Sequence, residues 1–347
     1  MADQTIRVGI VGAGANTRLR HLPGLKEIDG VKLVSVANRS RESGQRIADE
    51  FGIQTVYDNW VDLIDADDTD AICVGTWPYM HETLVLASLE AGKHVQTEAR
   101  MAMDSEQARS MLAASRLAPD LVTQIVPAPH TLKVDNTIKD LIEDGYLGDI
   151  LSIDMTVHQG GFIDHDGPLH WRHDRDLSGN NIMQMGIWYE AMMRWVGPAE
   201  TVSANGRVNV KHRQDGTGAR RYITIPDHVE AVCEMASSPV ARLRFSTVTG
   251  HAPADAVWIF GSEGTLRLDS ATMTLTGGRR GDDGLSDIDI PAEKQGGWRV
   301  EEEFINAIRG LEPVTHTNFE DGVRYMEFTD AVSMSIQTGE KVGLPLT

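Results

Sequence analysis

Short apolar runs alternate with helical patterns along the first part of the chain. The runs are apolar on both faces, which is typical of buried strands in a parallel sheet. They lie at residues 6–12, 31–38, 70–76, 93–98 and 120–126, and the helical segments between them include 40–52, 80–93 and 104–117. This alternation predicts an α/β domain with a doubly wound parallel sheet of the Rossmann type.

The pattern changes after a helical segment at residues 137–148. Polar and apolar residues then alternate at strand spacing with turn residues between the runs, which predicts a mostly antiparallel sheet. One helix interrupts this sheet and two close the chain, at residues 181–197, 298–309 and 319–338. We therefore divide the chain into a dinucleotide-binding domain, residues 1–126, and a second α/β domain, residues 127–347.

Charge and cysteine content narrow the classes of partner. The net charge is −19, which disfavours binding to nucleic acid or to an acidic membrane surface. No apolar run approaches the ~20 residues of a membrane span, and the N-terminal residues lack the pattern of a signal peptide. Cys73 and Cys233 are the two cysteines and show no metal-binding spacing. We expect a cytoplasmic protein without a zinc-thiolate site.

A G-x-G sequence follows the first predicted strand. Gly12 permits a tight turn, and Gly14 lets backbone N–H groups approach a pyrophosphate at the start of the next helix. Thr17 stands where the third glycine of the usual fingerprint is expected. A glycine turn without a ligand is the alternative, but the strand–turn–helix context favours a dinucleotide. The predicted contacts from this loop are Gly12, Gly14, Ala15, Asn16 and Thr17.

The end of the second strand bears on the choice of cofactor. An acidic residue at this point would bind the ribose 2′-hydroxyl of NAD. The chain instead has Asn38, Arg39, Ser40 and Arg41, and a guanidinium matches a phosphate in charge and geometry. The sequence therefore favours NADP over NAD, with NAD as the alternative if these side chains only face water.

Several segments together resemble one enzyme family. They are "VGIVGAGANTRLRHLPGL", "TDAICVGTWPYMHETLVLASLEAGKHVQTEA", "WRHDRDLSGNNIMQMGI" and "FEDGVRYMEFTDAVSMSIQTGEKVGLPL". In this order they resemble the glucose–fructose oxidoreductase/inositol dehydrogenase/MocA (Gfo/Idh/MocA) family. The resemblance implies a second domain with a large open sheet for substrate binding and oligomerisation. It also implies hydride transfer between NAD(P) and a sugar or polyol, and a homodimer or homotetramer.

The chain departs from the family at the positions that handle protons. The family commonly has Glu-Lys-Pro after the fifth strand, where this chain has Glu98, Ala99 and Arg100. On the second-domain helix, Gln184 replaces the family's aspartate and Trp188 its histidine. Alanine, glutamine and tryptophan do not exchange protons near neutral pH. The resemblance places Glu98, Ala99 and Arg100 at the cofactor, and Gln184 and Trp188 at the substrate.

Histidines elsewhere are candidates for the missing base, because imidazole titrates near neutral pH. The segment "HQGGFIDHDGPLHWRHDRD", which begins at His158, borders the substrate in the family, and its Trp171 and Arg172 are implied to line the pocket. For each histidine, an ordinary loop role is the alternative, and the carboxylates nearby match no dedicated metal motif. The predicted catalytic candidates are His130, His165, His170 and His173.

The turn after the fourth strand is implied to flank the cofactor through Thr76, Trp77, Pro78 and His81. Packing at the strand end and helix capping are the alternatives for these residues. Arg100 has two alternatives as well. If it points inward, it repels the oxidised nicotinamide and attracts an anionic substrate, and if it points outward, it pairs with a surface carboxylate.

These observations lead to three hypotheses about function. The first is an NAD(P)-dependent oxidoreductase that acts on a sugar-like or polyhydroxy substrate through a non-standard proton relay. The second is a glycosidase or lyase that retains its cofactor and works by transient oxidation, elimination and re-reduction. The third is a non-catalytic regulator that binds dinucleotide.

Overall fold

The computed structural model describes residues 5–158 and 161–347. These residues form two compact units. The first unit comprises the described residues through Pro127 together with Arg299–Val323, and the second comprises Ala128–Trp298 and Arg324–Thr347. None of the helices in the described ranges is long and apolar enough to cross a membrane.

The first unit contains a six-stranded sheet with the strand order 3-2-1-4-5-6. Every neighbouring pair in it is parallel. The strands are β1 (Ile6–Val11), β2 (Val31–Ala37), β3 (Thr55–Tyr57), β4 (Ala71–Val74), β5 (His94–Thr97) and β6 (Thr123–Ile125). The order reverses at β1 and β4, which is where a doubly wound sheet binds its ligand. The predicted Rossmann sheet is confirmed.

The second unit contains a nine-stranded sheet, 16-15-14-13-7-12-11-8-17, and a separate hairpin of β9 and β10. All neighbours in the large sheet are antiparallel except β7 and β12. This confirms the predicted mostly antiparallel sheet. The strands are β7 (Ile150–His158), β8 (Ala199–Arg207), β9 (His212–Gln214), β10 (Arg220–Tyr222), β11 (His228–Met235), β12 (Val240–Ser246), β13 (Ala256–Gly261), β14 (Gly264–Asp269), β15 (Thr274–Arg279), β16 (Ser286–Ile288) and β17 (Val342–Gly343).

Helices cover both sheets, and several begin with a side-chain cap. Ser40, Asn59 and Asp104 each accept a hydrogen bond from a backbone N–H in the first turn that follows them. The α-helices are α1 (Leu22–Glu27), α2 (Arg41–Phe51), α3 (Trp60–Ile64), α4 (His81–Glu90), α5 (Ser105–Leu117), α6 (Leu132–Glu143), α7 (Arg175–Ser178), α8 (Met185–Val196), α9 (Val300–Ile308) and α10 (Phe319–Thr338). A π-helical turn, Thr17–His21, precedes α1.

A segment near the end of the chain packs into the core of the first unit. Phe304 and Ile305 of α9 are fully buried in the same cluster as Val8 and Ile10 of β1. A sequence division at residue 126 assigns this segment to the second domain, whereas its packing assigns it to the first unit. The strand–helix pattern gave no sign of this, because an amphipathic helix does not reveal which sheet it covers.

Candidate cofactor site and proton-transfer residues

The glycine loop after β1 is closely packed against the loop after β4. Gly12 has a φ of +81°, and a Cβ there would lie 2.5 Å from Thr76 Cγ2. A Cβ on Gly75 would lie 2.0 Å from Thr17 Oγ1 and 2.1 Å from the Gly12 carbonyl oxygen. Because Gly75 has no side chain, it leaves room for the side chain of Thr17. This explains how the chain tolerates threonine in place of the third fingerprint glycine.

This loop has the features that a dinucleotide needs. Gly14 and Ala15 are exposed at the carboxyl edge of the sheet, so backbone groups there are open to a pyrophosphate. The buried hydroxyls of Thr17 and Thr76 have no hydrogen-bond partner among the described residues. The glycine loop lies where the strand order reverses, and it presents open backbone groups and unpaired hydroxyls. These features fit a dinucleotide, which supplies hydride-transfer chemistry when bound.

The four polar residues after β2 have different roles in the structure. Asn38 Oδ1 accepts a hydrogen bond from the Ala13 N–H at 2.7 Å, so it shapes the glycine loop. Ser40 caps α2, and Arg41 pairs with Asp58 at 2.8 Å. Arg39 is exposed and has no ion-pair partner within the described ranges. Among these four residues, Arg39 is therefore the exposed guanidinium without a carboxylate partner in the described ranges.

His81 joins the loop after β4 to the loop after β5. The ring is fully buried, with Nδ1 2.8 Å from the Arg100 carbonyl oxygen and Nε2 3.0 Å from that of Thr76. Burial lowers the pKa of His81, and the hydrogen bonds to the carbonyl oxygens of Thr76 and Arg100 oppose this shift. Both ring nitrogens face backbone oxygens, which gives His81 a structural role. Trp77 and Pro78 lie in the turn between Thr76 and His81, and Trp77 is exposed whereas Pro78 is buried.

Glu98 is the acidic residue at the end of β5 and connects this strand to the glycine loop. Its Oε1 accepts a hydrogen bond from Asn16 Nδ2 at 2.7 Å and lies 3.1 Å from His21 Nε2. Ala99 is half-buried and offers no titratable group, and Arg100 is buried rather than on the surface. The direction of the Arg100 guanidinium, towards the cofactor or towards a carboxylate, stays a prediction.

The second unit brings His130 against the residue that replaces the family's histidine. The His130 and Trp188 rings are stacked, with centroids 5.9 Å apart and planes 10° from parallel. Trp188 Nε1 donates to Gln184 Oε1 at 3.3 Å, so the two replaced positions support each other. His130 is an exposed residue, and partial burial of its ring lowers its pKa.

Histidines 170 and 173 build a turn. His170 Nδ1 accepts a hydrogen bond from the Arg172 N–H, and His173 Nδ1 accepts one from the His170 N–H, both at 3.2 Å. Each Nδ1 lone pair is therefore in use, which places the proton of a neutral ring on Nε2. Burial, Arg213 and His170 lower the pKa of His173 to about 4.

The remainder of this loop is held by contacts that the sequence did not reveal. Arg213 of β9 donates to the Gly167 carbonyl oxygen at 2.9 Å, and the Arg172 guanidinium lies 4.2 Å from the Trp171 ring centroid. His165 is exposed. Residues 159 and 160 of the predicted histidine segment lie outside the described residues.

His158 and Asp255 form a pair that sequence reasoning did not find. Asp255 Oδ1 lies 3.0 Å from His158 Nδ1 and accepts a hydrogen bond from the His158 N–H at 2.7 Å. In a neutral ring, this hydrogen bond places the proton on Nδ1. The His158 side chain is only 7% exposed, so its access to a substrate is restricted. No sequence signal joins the two residues, which are 97 positions apart.

Models of two protein families match the chain. The oxidoreductase family with an NAD-binding Rossmann fold matches residues 6–124, and the GFO/IDH/MocA C-terminal domain matches residues 136–267.

Among the described residues, no group of three histidine, cysteine or acidic side chains is placed to hold a metal ion.

Individual relatives are similar at low identity. An inositol 2-dehydrogenase/D-chiro-inositol 3-dehydrogenase of Halalkalibacterium halodurans is 27% identical over 51% of this chain and 56% of its own length. A levoglucosan dehydrogenase of Pseudarthrobacter phenanthrenivorans is 22% identical over 67% of this chain and 63% of its own length. The chain thus spans less than two thirds of these two relatives.

Solved structures share the fold over nearly the whole chain. A levoglucosan dehydrogenase in complex with NADH and levoglucosan has a TM-score of 0.84 at 21% identity, covering 99% of this chain and 100% of that chain. The WlbA dehydrogenase of Bordetella pertussis, in complex with NADH and UDP-GlcNAcA, has a TM-score of 0.79 at 22% identity with the same coverage. With both domain models matched in order, the chain belongs to the GFO/IDH/MocA family of NAD-binding oxidoreductases.

Proposed function

We propose that this enzyme oxidises or reduces a sugar-like or polyhydroxy substrate by hydride transfer to or from a nicotinamide cofactor, with His130 as the proton-transferring residue. The observation that carries the proposal is the stack of His130 on Trp188. Trp188 and Gln184 occupy the positions of the family's histidine and aspartate. His130 therefore brings an imidazole back to the surroundings from which the usual one has been lost.

The properties of His130 suit a general base. Partial burial lowers its pKa, so the ring is unprotonated at neutral pH and can accept a hydroxyl proton. His170 and His173 use their Nδ1 lone pairs within a turn, and accepting a proton there would break that turn. His158 keeps a free Nε2 but is largely buried. His130 combines a lowered pKa with an exposed position.

NADP is the proposed preferred cofactor. Support comes from Arg39, which is exposed beside the glycine loop and not neutralised by a carboxylate in the described part of the chain. The relatives bound to NADH show that the fold itself accommodates NAD, so the preference depends on this side chain.

The proposed substrate class follows the names of the relatives, which are dehydrogenases of inositol and levoglucosan. We expect Trp188, Gln184 and Arg172 to line the substrate pocket, as the family resemblance implies, because an indole, an amide and a guanidinium suit a hydroxyl-rich ring. We further propose a homodimer or homotetramer. Support comes from the half-buried aromatic residues Trp258 and Phe260 of β13, whose side chains stack on each other.

A cofactor-retaining glycosidase or lyase is the second candidate. It is favoured by the simultaneous replacement of three proton-handling groups at residues 99, 184 and 188. In such an enzyme the dinucleotide is reduced and reoxidised within each turnover, so the solution shows no net reduction.

One experiment separates these functions. Dialysed protein is mixed with NADP⁺ or NAD⁺ and a panel of inositols, levoglucosan and other sugars, and the absorbance of reduced nicotinamide is followed. A rise that His130→Ala abolishes and His165→Ala preserves supports the proposal. Retained cofactor and a changed sugar without net reduction support the second candidate. Binding of dinucleotide with no conversion of any sugar would contradict both and favour a regulator.

A further inference from the structure

His21 lies between two carboxylates inside the first unit. The ring is fully buried, with Nδ1 2.5 Å from Glu301 Oε1 and Nε2 3.1 Å from Glu98 Oε1. An ionised carboxylate only accepts hydrogen bonds. Both ring nitrogens therefore have to donate, which makes His21 an imidazolium. The Glu301–His21–Glu98 triad then carries a net charge of −1.

The electrostatics of the buried groups agree with this proton count. Burial opposes protonation of His21, but the hydrogen bonds to Glu301 and Glu98 outweigh it and raise the pKa of His21 to about 9. Burial likewise opposes ionisation of Glu98, yet the hydrogen bonds from His21 and Asn16 hold the pKa of Glu98 below its ordinary value. Both shifts favour the charged forms.

Burial favours the neutral forms of two titratable neighbours of the triad, Cys73 and His81. The Cys73 thiol is fully buried, and burial together with the charges of Glu98 and Glu301 raises its pKa well above the ordinary value, so it stays protonated. Burial lowers the pKa of His81. The α9 residue Glu301 closes the far side of the triad, and its side chain is 5% exposed.

Glu98 brings the charge of the triad to the cofactor edge of the sheet. It follows β5, and its Oε1 is hydrogen-bonded to Asn16 of the glycine loop. Ligands of a doubly wound sheet bind outside the carboxyl ends of its strands, with one mononucleotide on each half. The glycine loop follows β1, and β5 belongs to the half that receives the nicotinamide.

We infer that the Glu301–His21–Glu98 triad is an electrostatic device that makes the protein bind the oxidised dinucleotide, whose ring is positive, more tightly than the reduced one. Glu98 supplies the charge at the cofactor edge, and His21 and Glu301 act as positioning residues that keep it ionised. The inference rests on the proposed dinucleotide site but not on His130 or the substrate, because it is tested without turnover.

The first test compares dissociation constants for NADP⁺ and NADPH, and for NAD⁺ and NADH, by calorimetry at pH 7.5. Glu98→Gln keeps the shape of the side chain and should weaken binding of the oxidised form about tenfold, while binding of the reduced form changes less than about threefold. The control is Glu50→Gln, which removes an exposed carboxylate paired with Arg18 and should change neither constant. Equal losses of both forms in Glu98→Gln would overturn the inference.

The second test measures the proton on His21 by ¹⁵N NMR of the histidine rings. One imidazolium signal should persist at pH 8, where ordinary histidines are neutral, and should be missing in His21→Gln. In Glu301→Gln, the same signal should lose its proton at a lower pH, which identifies it even if His21→Gln does not fold. A wild-type spectrum without any imidazolium at pH 8 would overturn the inference.

Discussion

Arg194 of α8 donates from Nε to Asp135 of α6 at 2.9 Å, with Asp135 buried and Arg194 half-buried. The same guanidinium donates to Glu190, to Thr131 Oγ1 and to the Ala128 carbonyl oxygen. These bonds attach the segment that carries His130 to the helix that carries Trp188. The hydrogen bonds of Arg194 therefore stabilise the His130–Trp188 stack that we propose for proton transfer.

Replacing Arg194 by methionine should destabilise the protein by about 3–5 kcal/mol, because the buried Asp135 would lose the cation with which it pairs. Chemical denaturation measures this loss. The control is Arg46→Met, which removes an exposed helical pair with Glu42 and should leave the denaturation midpoint unchanged. Equal stability of the two variants would show that the network does not hold the segment.

Arg39→Ala tests the proposed cofactor preference. A charge-assisted hydrogen bond to the 2′-phosphate contributes about 1.5–3 kcal/mol, so the affinity for NADP should fall at least tenfold while that for NAD hardly changes. The matched control is Arg41→Ala, whose guanidinium is already paired with Asp58. Titration by intrinsic fluorescence gives both constants. Tighter binding of NAD than of NADP by the wild type would contradict the preference.

Gly75→Ala tests the packing between the loops after β1 and β4. The new methyl group would lie within about 2 Å of Thr17 Oγ1 and of the Gly12 carbonyl oxygen, so the glycine loop has to move. We expect loss of dinucleotide binding and a lower melting temperature. Gly216→Ala, in the turn between β9 and β10, meets no atom within 4 Å and serves as the control. Unchanged dinucleotide affinity in Gly75→Ala would show that the loop tolerates the displacement.

The sequence predicted the parallel sheet well because buried strands and amphipathic helices follow one another at short spacing. It missed β3, whose three residues are all half-buried and form no apolar run. It also missed the place of α9, because helical periodicity shows that one face is buried but not which sheet covers it. The local pattern thus predicted elements, whereas long-range packing decided their neighbours.

The candidate site shows the same division. Gly12 and Gly14 could be read from their motif because the chemistry there is local. The contacts of His21 with Glu301 and of His158 with Asp255 join residues 280 and 97 positions apart, which no spacing rule connects. Among the four predicted histidines, sequence could not separate His130 from His170 and His173. Only the backbone hydrogen bonds to Nδ1 of the latter two distinguish them.

His130→Ala tests the proton-transfer proposal. Loss of a general base lowers turnover by about 10²–10⁴-fold, so we expect a fall of at least a hundredfold, with cofactor affinity close to wild type. The pH dependence of turnover is an independent test of this role. His130 works in its neutral form, and its pKa is lowered, so wild-type turnover should fall only below the ordinary histidine value as the ring becomes protonated. His130→Ala should lose this acidic limb.

The controls for His130 are the other histidines of the second unit. His165→Ala removes an exposed loop side chain and should retain most of its activity, while His170→Ala and His173→Ala should act through the turn and lower the melting temperature. His158→Ala tests the remaining candidate base, the buried His158 that pairs with Asp255. A hundredfold loss in His158→Ala together with an unaffected His130→Ala would move the proton-transfer role to the His158–Asp255 pair.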